Sequence, residues 1–188
     1  MGDGFHRYSV DGNWHVPHFE KMLYDQGQLV VSYLEAFQLT GRPGLAETVR
    51  GILRYVERDL SHPDGGFFSA EDADSAITEG GRKKEGAFYV WTTEELESVL
   101  GEESASVFAA LYGVKEPGNA THEGDPAGEF RWENILYRAR PLKEVAEECG
   151  MEPRRVEEIR REAMDALMAA RDRRPRPHLD DKILAAWN

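Results

Sequence analysis

The residues best suited to acid–base chemistry lie near the start of the chain. His6, His18 and Glu20 bring two imidazoles and a carboxylate into a short stretch. Because an imidazole titrates near neutral pH, it can remove a proton next to a carbonyl group and return one. We predict His18, Glu20 and His6 as catalytic residues. The structural alternative, in which a histidine and an acid only cap the start of a helix, stays open for His18.

A second acidic pair follows a predicted strand, FFSA, in the segment EDADS. Side chains at alternate strand positions point to the same face, so Asp72 and Asp74 can share a pocket. Two carboxyl groups in one pocket can hydrolyse a glycosidic bond, one as the acid and the other as the base that activates water. We predict both as catalytic candidates. The alternative is an Asx turn or a cap for the next element.

Substrate-binding candidates share a position beside these groups or at the corresponding start of a later segment. They are Arg7, Tyr8, Trp14, Lys21, Asp25, His178, Asp181 and Lys182. Arg7 can hold an enolate oxygen, and Trp14 can stack on a sugar ring. Lys21 and Asp25 have the spacing of an ion pair on one helix. Asp181 and Lys182 can form hydrogen bonds with the starts of neighbouring helices.

Other chemistries lack their sequence signatures. Pro17 separates His15 from His18, and neither an HExxH motif nor a cysteine pattern supplies metal ligands. We therefore predict no metal ion, and we predict His15 as a capping or packing residue. No glycine-rich loop has the spacing of a nucleotide site, so we predict no cofactor. The single cysteine, Cys149, lies in a helical pattern, where we predict that it packs.

The charge of the chain limits its partners. Lys+Arg 23 against Asp+Glu 35 gives a formal net charge of -12, which repels phosphate backbones and anionic lipids. No apolar run approaches the about 18 residues of a membrane span, and the N-terminus lacks the layout of a signal peptide. We predict a soluble, cytoplasmic protein that binds neither nucleic acid nor membranes.

The apolar pattern predicts helices of two kinds. Apolar residues between 19 and 39 surround most of a helix, which indicates burial on nearly all sides. Residues 45–60 carry one apolar stripe with charged residues opposite, which is typical of an outer helix. A similar stripe runs from Val156 to Ala170. The alternation of inner and outer helices favours an α/α array.

A small β insertion interrupts the helices. Residues 85–91, EGAFYVW, are rich in strand formers, and we predict that they pair with FFSA across the loop EGGRKKE. Thr92 has the pattern of a helix N-cap, and that helix should run to about Leu100. Residues 113–133 are rich in glycine, proline and acids, which predicts a long loop.

Two repeated motifs mark the units of the array. The segment PHFEKML, from Pro17, has a counterpart in PHLDDKIL, from Pro177, and both are predicted to open an inner helix. The last of these helices, ILAAWN, stops within a few residues. We therefore predict that residues 1–188 are an incomplete toroid segment without its later hairpins. Exposed apolar edges at such a break would favour self-association.

The motifs GFHRYSVDGNWHVPHFEKMLYDQGQL, EDADS, EGAFYVWT and PHLDDKILAAWN resemble the spermatogenesis-associated, thioredoxin-domain-containing family. The resemblance implies a mainly α fold, part of an (α/α)6 toroid similar to N-acylglucosamine 2-epimerases and six-hairpin glycosidases. It also implies a thioredoxin-like N-terminal domain as a partner in the longer protein. That domain is absent from residues 1–188, so its redox chemistry does not carry over.

Two functions are compatible with these residues. The first is a toroid segment that binds or modifies a carbohydrate by epimerase-like or glycosidase-like acid–base chemistry, with turnover that needs the missing hairpins. The second is a non-catalytic module that docks the thioredoxin-like domain. Convergence of the candidate side chains around one space favours the first function, and mutual ion pairing favours the second.

Overall fold

Six α-helices account for most of the regular structure in the computed structural model, which describes residues 1–188. The helices are α1 (Leu23–Thr40), α2 (Pro43–Tyr55), α3 (Thr93–Leu100), α4 (Glu102–Tyr112), α5 (Leu142–Glu148) and α6 (Pro153–Arg171). The strands are β1 (Tyr8–Ser9), β2 (Pro17–His18), β3 (Lys21–Met22), β4 (Ala70–Glu71), β5 (Asp74–Ala76), β6 (Lys83–Glu85) and β7 (Leu179–Asp180). The prediction of a helical protein with a small β component is confirmed.

The chain forms two compact units. Met1–Tyr8, Pro17–Gly86 and Arg176–Asn188 make up the first unit, and Ser9–Val16 and Ala87–Pro175 make up the second. The first unit therefore contains most of the candidate site residues, whereas the Trp14 loop belongs to the second.

In the first unit, α1 and α2 form a helical hairpin. Gly41, in the left-handed conformation at φ 65°, ends α1, and Pro43 starts α2. The predicted stripe of α2 faces inward at Val49 and Ile52, which are buried. The helix continues as a π-helical turn, Val56–Leu60, before the proline and glycines of SHPDGG stop it, as predicted.

The prediction that α1 is buried on nearly all sides is wrong. Val31, Leu34 and Leu39 are 55%, 41% and 87% exposed. The main contacts of α1 are with α2, β3 and the π-helical turn, so its opposite side is open. An apolar sequence indicates which sides of a helix are suited to burial, but actual burial also requires neighbouring elements on those sides.

A three-stranded antiparallel sheet connects distant parts of the first unit in the order β3-β4-β7. Lys21 pairs with Glu71, and Ala70 pairs with Asp180. The two repeated Pro-His segments thus lead into strands on opposite edges of β4. The prediction that each segment opens a helix directly is wrong: β2 and β3 precede α1, and ILAAWN forms only a turn.

The β insertion is a hairpin of β5 and β6, with Asp74 opposite Glu85. The prediction that residues 85–91 pair with FFSA is wrong, because residues 86–91 form no strand. Arg174 supplies the reason. Its guanidinium donates to the carbonyl groups of Phe88 and Val90 at 3.1 and 2.7 Å and lies 3.9 Å from the Trp91 ring centre. A side chain therefore satisfies the carbonyl groups that a strand partner would otherwise bond.

The second unit packs α4, α5 and α6 around one apolar cluster. Its buried members are Val107, Leu111, Val145, Ala146, Val156 and Ile159. Thr92 caps α3 in a complete capping box with Glu95, as predicted, and residues 113–133 form turns without a regular element. The prediction that Cys149 packs is wrong, because it is exposed at the C-terminal end of α5.

Candidate functional site

The centre of the candidate site is His18, held between two carboxylates in the first unit. Its Nδ1 lies 2.8 Å from Oε1 of Glu85, and its Nε2 lies 3.7 Å from Oε2 of Glu20. The backbone N–H of Phe19 also donates to Oε1 of Glu85, at 3.3 Å. Because Phe19 is buried, this contact fixes the Glu85 carboxylate beside the imidazole.

The contact with Glu85 decides which imidazole nitrogen is available for chemistry. An ionised carboxylate can only accept hydrogen bonds, so Nδ1 carries the proton in this pair. Nε2 is then the basic nitrogen of neutral His18, and its 3.7 Å separation from Glu20 is too long for a hydrogen bond. The His18 side chain is 24% exposed, so a small molecule can reach it.

Arg7 supplies the positive charge next to His18. The N–H and C=O of Phe5 bond to the side chain of Gln26, which is fully buried in α1, and this anchors the N-terminal segment. The Arg7 guanidinium donates to Oε2 of Glu20 at 3.0 Å and lies 5.9 Å from the Tyr24 ring centre. The hydrogen bond to Glu20 raises the pKa of Arg7.

The His18 cluster consists of Arg7, His18, Glu20, Glu85 and Asp25, which lies in the first turn of α1 within the electrostatic reach of Arg7 and Glu20. The Oδ2 atom of Asp25 is closed off from solvent and has no hydrogen-bond partner. Burial raises the pKa of Asp25, although the charge of Arg7 opposes the shift.

The predicted ion pair between Lys21 and Asp25 is wrong, because Lys21 lies in β3 rather than in the helix. Its side chain is buried. The ammonium group donates to the carbonyl oxygen of Asp3 at 2.8 Å and lies 4.5 Å from the Tyr55 ring centre. Lys21 therefore belongs to the interior of the unit rather than to the His18 cluster.

Aromatic rings border the His18 cluster. The Tyr8 ring, in a residue that is 51% exposed, lies 4.9 Å from the His18 ring, and Tyr24 lies edge to face with Trp187 at 4.9 Å. His6 is also close in the fold, since its Nδ1 lies 2.9 Å from the carbonyl oxygen of Phe19. The cluster thus combines a base, acids and a cation with flat apolar surfaces.

The two aspartates of EDADS, Asp72 and Asp74, occupy different positions. Asp74 is directly opposite Glu85 in the hairpin, so their side chains project from the same face. Asp72 is exposed and outside both neighbouring strands; its N–H donates to the carbonyl oxygen of His178 at 2.8 Å. The N–H of Asp74 is 3.5 Å from Oδ1 of Asp72, which is the geometry of an Asx turn.

Several residues predicted for the site make no contact with the His18 cluster. Trp14 lies in the second unit, 85% exposed and with φ 58°, and His15 of the same loop contacts Asn119 at 3.3 Å. His178 and Asp181 are exposed. The predicted bonds of Lys182 to a helix start are wrong, because its ammonium binds both oxygens of Asp180, at 2.7 Å each.

Sequence reasoning missed Glu85, Tyr24 and Trp187. Glu85 is 67 positions from His18, and in the sequence it is only the first residue of an apolar run. The one sequence signal for Glu85 was the predicted turn at EGGR with a segment on each side of it. Once the register of that hairpin is known, Glu85 lies opposite Asp74. No His, Cys, Asp or Glu side chains are grouped in threes that could hold a metal ion, and no helix has the length and apolarity to cross a membrane.

Known proteins align with the whole chain. It is 47% identical over 197 residues to the human protein named spermatogenesis-associated protein 20, and 46% identical to the mouse protein of that name. It is 40% identical over 196 residues to an uncharacterized protein of Caenorhabditis elegans. The chain spans 25% to 27% of the length of these curated relatives. No family model matches the chain. The identities support the family to which the sequence motifs point.

Proposed function

We propose that this chain is part of an (α/α) toroid of the spermatogenesis-associated, thioredoxin-domain-containing family, and that the His18 cluster binds a carbohydrate and moves protons on it. The observation that carries the proposal is the His18–Glu85 contact, at 2.8 Å, which places the proton on Nδ1 and makes Nε2 the nitrogen that can act as a base. The α1–α2 hairpin supports a helical-hairpin architecture, and the two Pro-His segments lead into strands on either side of β4. The relatives are long enough to contain further hairpins.

A sugar with a carbonyl group suits the groups around His18. Nε2 can accept a proton from the carbon next to the carbonyl group, since a neutral imidazole is basic near neutral pH. The Arg7 guanidinium forms an ion pair with Glu20, the carboxylate near Nε2 of His18. Its N–H groups can also donate hydrogen bonds to a developing oxyanion. The partly exposed Tyr8 ring offers a flat apolar face of the kind on which a pyranose can lie. Arg7, Tyr8, His18 and Glu20 are the predicted residues that this proposal uses together.

The test is calorimetric titration of the chain with a panel of mono- and disaccharides. We expect at least one sugar to bind and the His18→Ala variant to bind it at least about tenfold more weakly, which corresponds to about 1.4 kcal/mol. His122→Ala, a change of an exposed histidine in the second unit, is the matched control and should bind as the wild type does. Absence of binding by every sugar, or equal binding by His18→Ala, would reject the carbohydrate proposal.

The second candidate function is a docking module for the thioredoxin-like domain of the longer protein. The exposed apolar side chains of α1, Val31, Leu34 and Leu39, favour it, because a helix face of this kind is normally covered. We expect Leu34→Glu to weaken binding of a separately produced thioredoxin-like domain at least tenfold, measured by titration calorimetry, while Glu35→Gln leaves it unchanged. Light scattering of the chain alone would reveal self-association through the same face. Equal binding by Leu34→Glu would contradict docking on α1.

A further inference from the structure

Two tryptophan side chains of the second unit lie in solvent on backbone that favours glycine. Trp14 is 85% exposed and Trp132 is 54% exposed. Their φ angles are 58° and 70°, in the left-handed region that bulky residues rarely adopt. An exposed indole ring adds little buried apolar area that could offset the cost of this conformation. The combination indicates a role in binding rather than in packing.

The loops that carry the two tryptophans are held together at Asn119. The side-chain amide of Asn119 donates to the carbonyl oxygen of Ile135 and accepts from the N–H of Ile135, at 2.9 Å each. Nε2 of His15, the residue next to the first tryptophan, lies 3.3 Å from the same amide oxygen. The N–H of Trp132 donates to the carbonyl oxygen of Pro117, two positions before Asn119, at 2.6 Å. Both tryptophans are therefore carried by loops that are fixed to the same short segment.

A third ring and an acid lie beside the Trp14 loop. Tyr137 is 42% exposed, and its ring lies edge to face with the His15 ring at 4.6 Å. The exposed Glu123 accepts a hydrogen bond of 3.0 Å from a backbone N–H of the Trp14 loop. We call Trp14, Trp132, Tyr137 and Glu123 the tryptophan surface.

The charge around the tryptophan surface is negative. Residues 9–16 and 113–133 carry two bases, Lys115 and Arg131, and six acids, Asp11, Glu116, Glu123, Asp125, Glu129 and Glu133. The Arg131 guanidinium lies 5.5 Å from the Trp132 ring centre, so this ring already attracts a cation within the chain. Tryptophan is the aromatic side chain that attracts cations best. Lysine and arginine are therefore the residues that this surface suits, whereas an anionic partner is repelled.

We propose that the tryptophan surface docks a partner segment rich in lysine and arginine, whose cations lie over the indole rings and pair with the surrounding acids. Tryptophan is among the residue types enriched where a few side chains carry most of the affinity of an interface. The surface belongs to the second unit, so this inference does not rest on the carbohydrate chemistry proposed for the His18 cluster.

The fluorescence anisotropy of a fluorescein-labelled octalysine peptide, titrated with the chain, tests the docking. We expect Trp14→Gly and Trp132→Gly each to weaken binding at least about threefold, since each variant removes one cation–π contact. Glycine suits a positive φ, so both variants remove the ring and keep the backbone conformation. Arg131→Ala should tighten binding about twofold or more, because it removes a competing cation. Leu39→Ala, a change of an apolar residue of the first unit that is 87% exposed, is the matched control and should bind as the wild type does.

The two glycine variants separate docking from the general attraction between an acidic chain and a cationic peptide. Their net charge equals that of the wild type, so general attraction alone would give all three proteins the same affinity, and this result would overturn the proposal. Octaglutamate that binds as tightly as octalysine would also overturn it. Cellohexaose binding that the glycine variants lose, without any change in their octalysine binding, would assign the surface to glycans instead.

Discussion

Replacement of Gly86 by alanine is expected to lower the free energy of unfolding by about 2–5 kcal/mol. Gly86 has φ 72°, a conformation that costs a residue with a side chain about 1–2 kcal/mol. A Cβ atom at this position would also lie 2.6 Å from Cε2 of Phe19, a buried residue that is 1% exposed. Overpacking of this kind costs about 1–3 kcal/mol. Urea denaturation followed by circular dichroism measures the loss.

Gly41→Ala separates the two contributions to this loss. Gly41 has φ 65°, but nothing lies within 4 Å of the position of its Cβ. Gly41→Ala should therefore show only the conformational cost, and Gly86→Ala should be less stable than Gly41→Ala by about 1–3 kcal/mol. Equal losses in the two variants would show that the Phe19 ring does not restrict position 86.

The same substitution also disturbs the candidate site, because Gly86 directly follows Glu85. A shift of the Phe19 ring moves the backbone N–H that holds Oε1 of Glu85, and this carboxylate fixes the proton on Nδ1 of His18. We therefore expect Gly86→Ala to weaken sugar binding, whereas Gly41→Ala should leave it unchanged. The expected losses of stability and of binding therefore both act through the buried Phe19 ring.

Part of the candidate site could be predicted because its members are close in the sequence. Arg7, Tyr8, His18 and Glu20 lie on either side of one short loop, and residue types alone indicated acid–base chemistry. Glu85 could not be found in this way, since its contact with His18 depends on the register of β5 and β6. The direction of the Lys21 side chain could not be predicted from the sequence either. A helix would have placed Lys21 one turn before Asp25, whereas β3 turns it into the core.

In the fold, too, features set by neighbouring residues could be predicted, and features set by residues distant in the sequence could not. The start of α3 at Thr92 follows from a capping box that is complete within a few residues. Residues 86–91 have the composition of a strand, but the donors that bond their carbonyl groups belong to Arg174, up to 87 positions away. The apolar sequence of α1 predicted burial on nearly all sides, which is wrong, because the extent of burial depends on which neighbours are present. Local sequence patterns indicate which structures a segment can form, and contacts with residues distant in the sequence determine which of these structures it adopts.

The buried group formed by Lys21, Tyr55 and Glu71 is expected to stabilise the first unit strongly. Glu71 is 5% exposed, accepts a hydrogen bond of 2.6 Å from the Tyr55 hydroxyl and lies opposite Lys21 in the β3–β4 pair. Removal of the Glu71 carboxyl group leaves the buried Tyr55 hydroxyl without its acceptor, and an unsatisfied buried polar group costs about 1–3 kcal/mol. We expect Glu71→Ala to lose this amount in urea denaturation at neutral pH. Glu79→Ala, a change of an exposed acid in the hairpin loop, should stay within about 0.5 kcal/mol of the wild type.

The pH dependence of this group has a definite sign. Burial raises the pKa of Glu71, and the Tyr55 hydrogen bond and the charge of Lys21 only partly oppose the shift. A carboxyl group with a higher pKa in the folded state binds more protons there than in the unfolded state, so its contribution to stability declines as pH rises. The contribution is complete below the ordinary glutamate pKa of about 4.3 and is lost as pH rises through the raised value. The stability of the wild type relative to Glu71→Gln, which keeps an acceptor for Tyr55 but does not titrate, should therefore fall over that interval. A difference that grows with pH would mean that Lys21 outweighs burial and that the buried pair is ionised throughout.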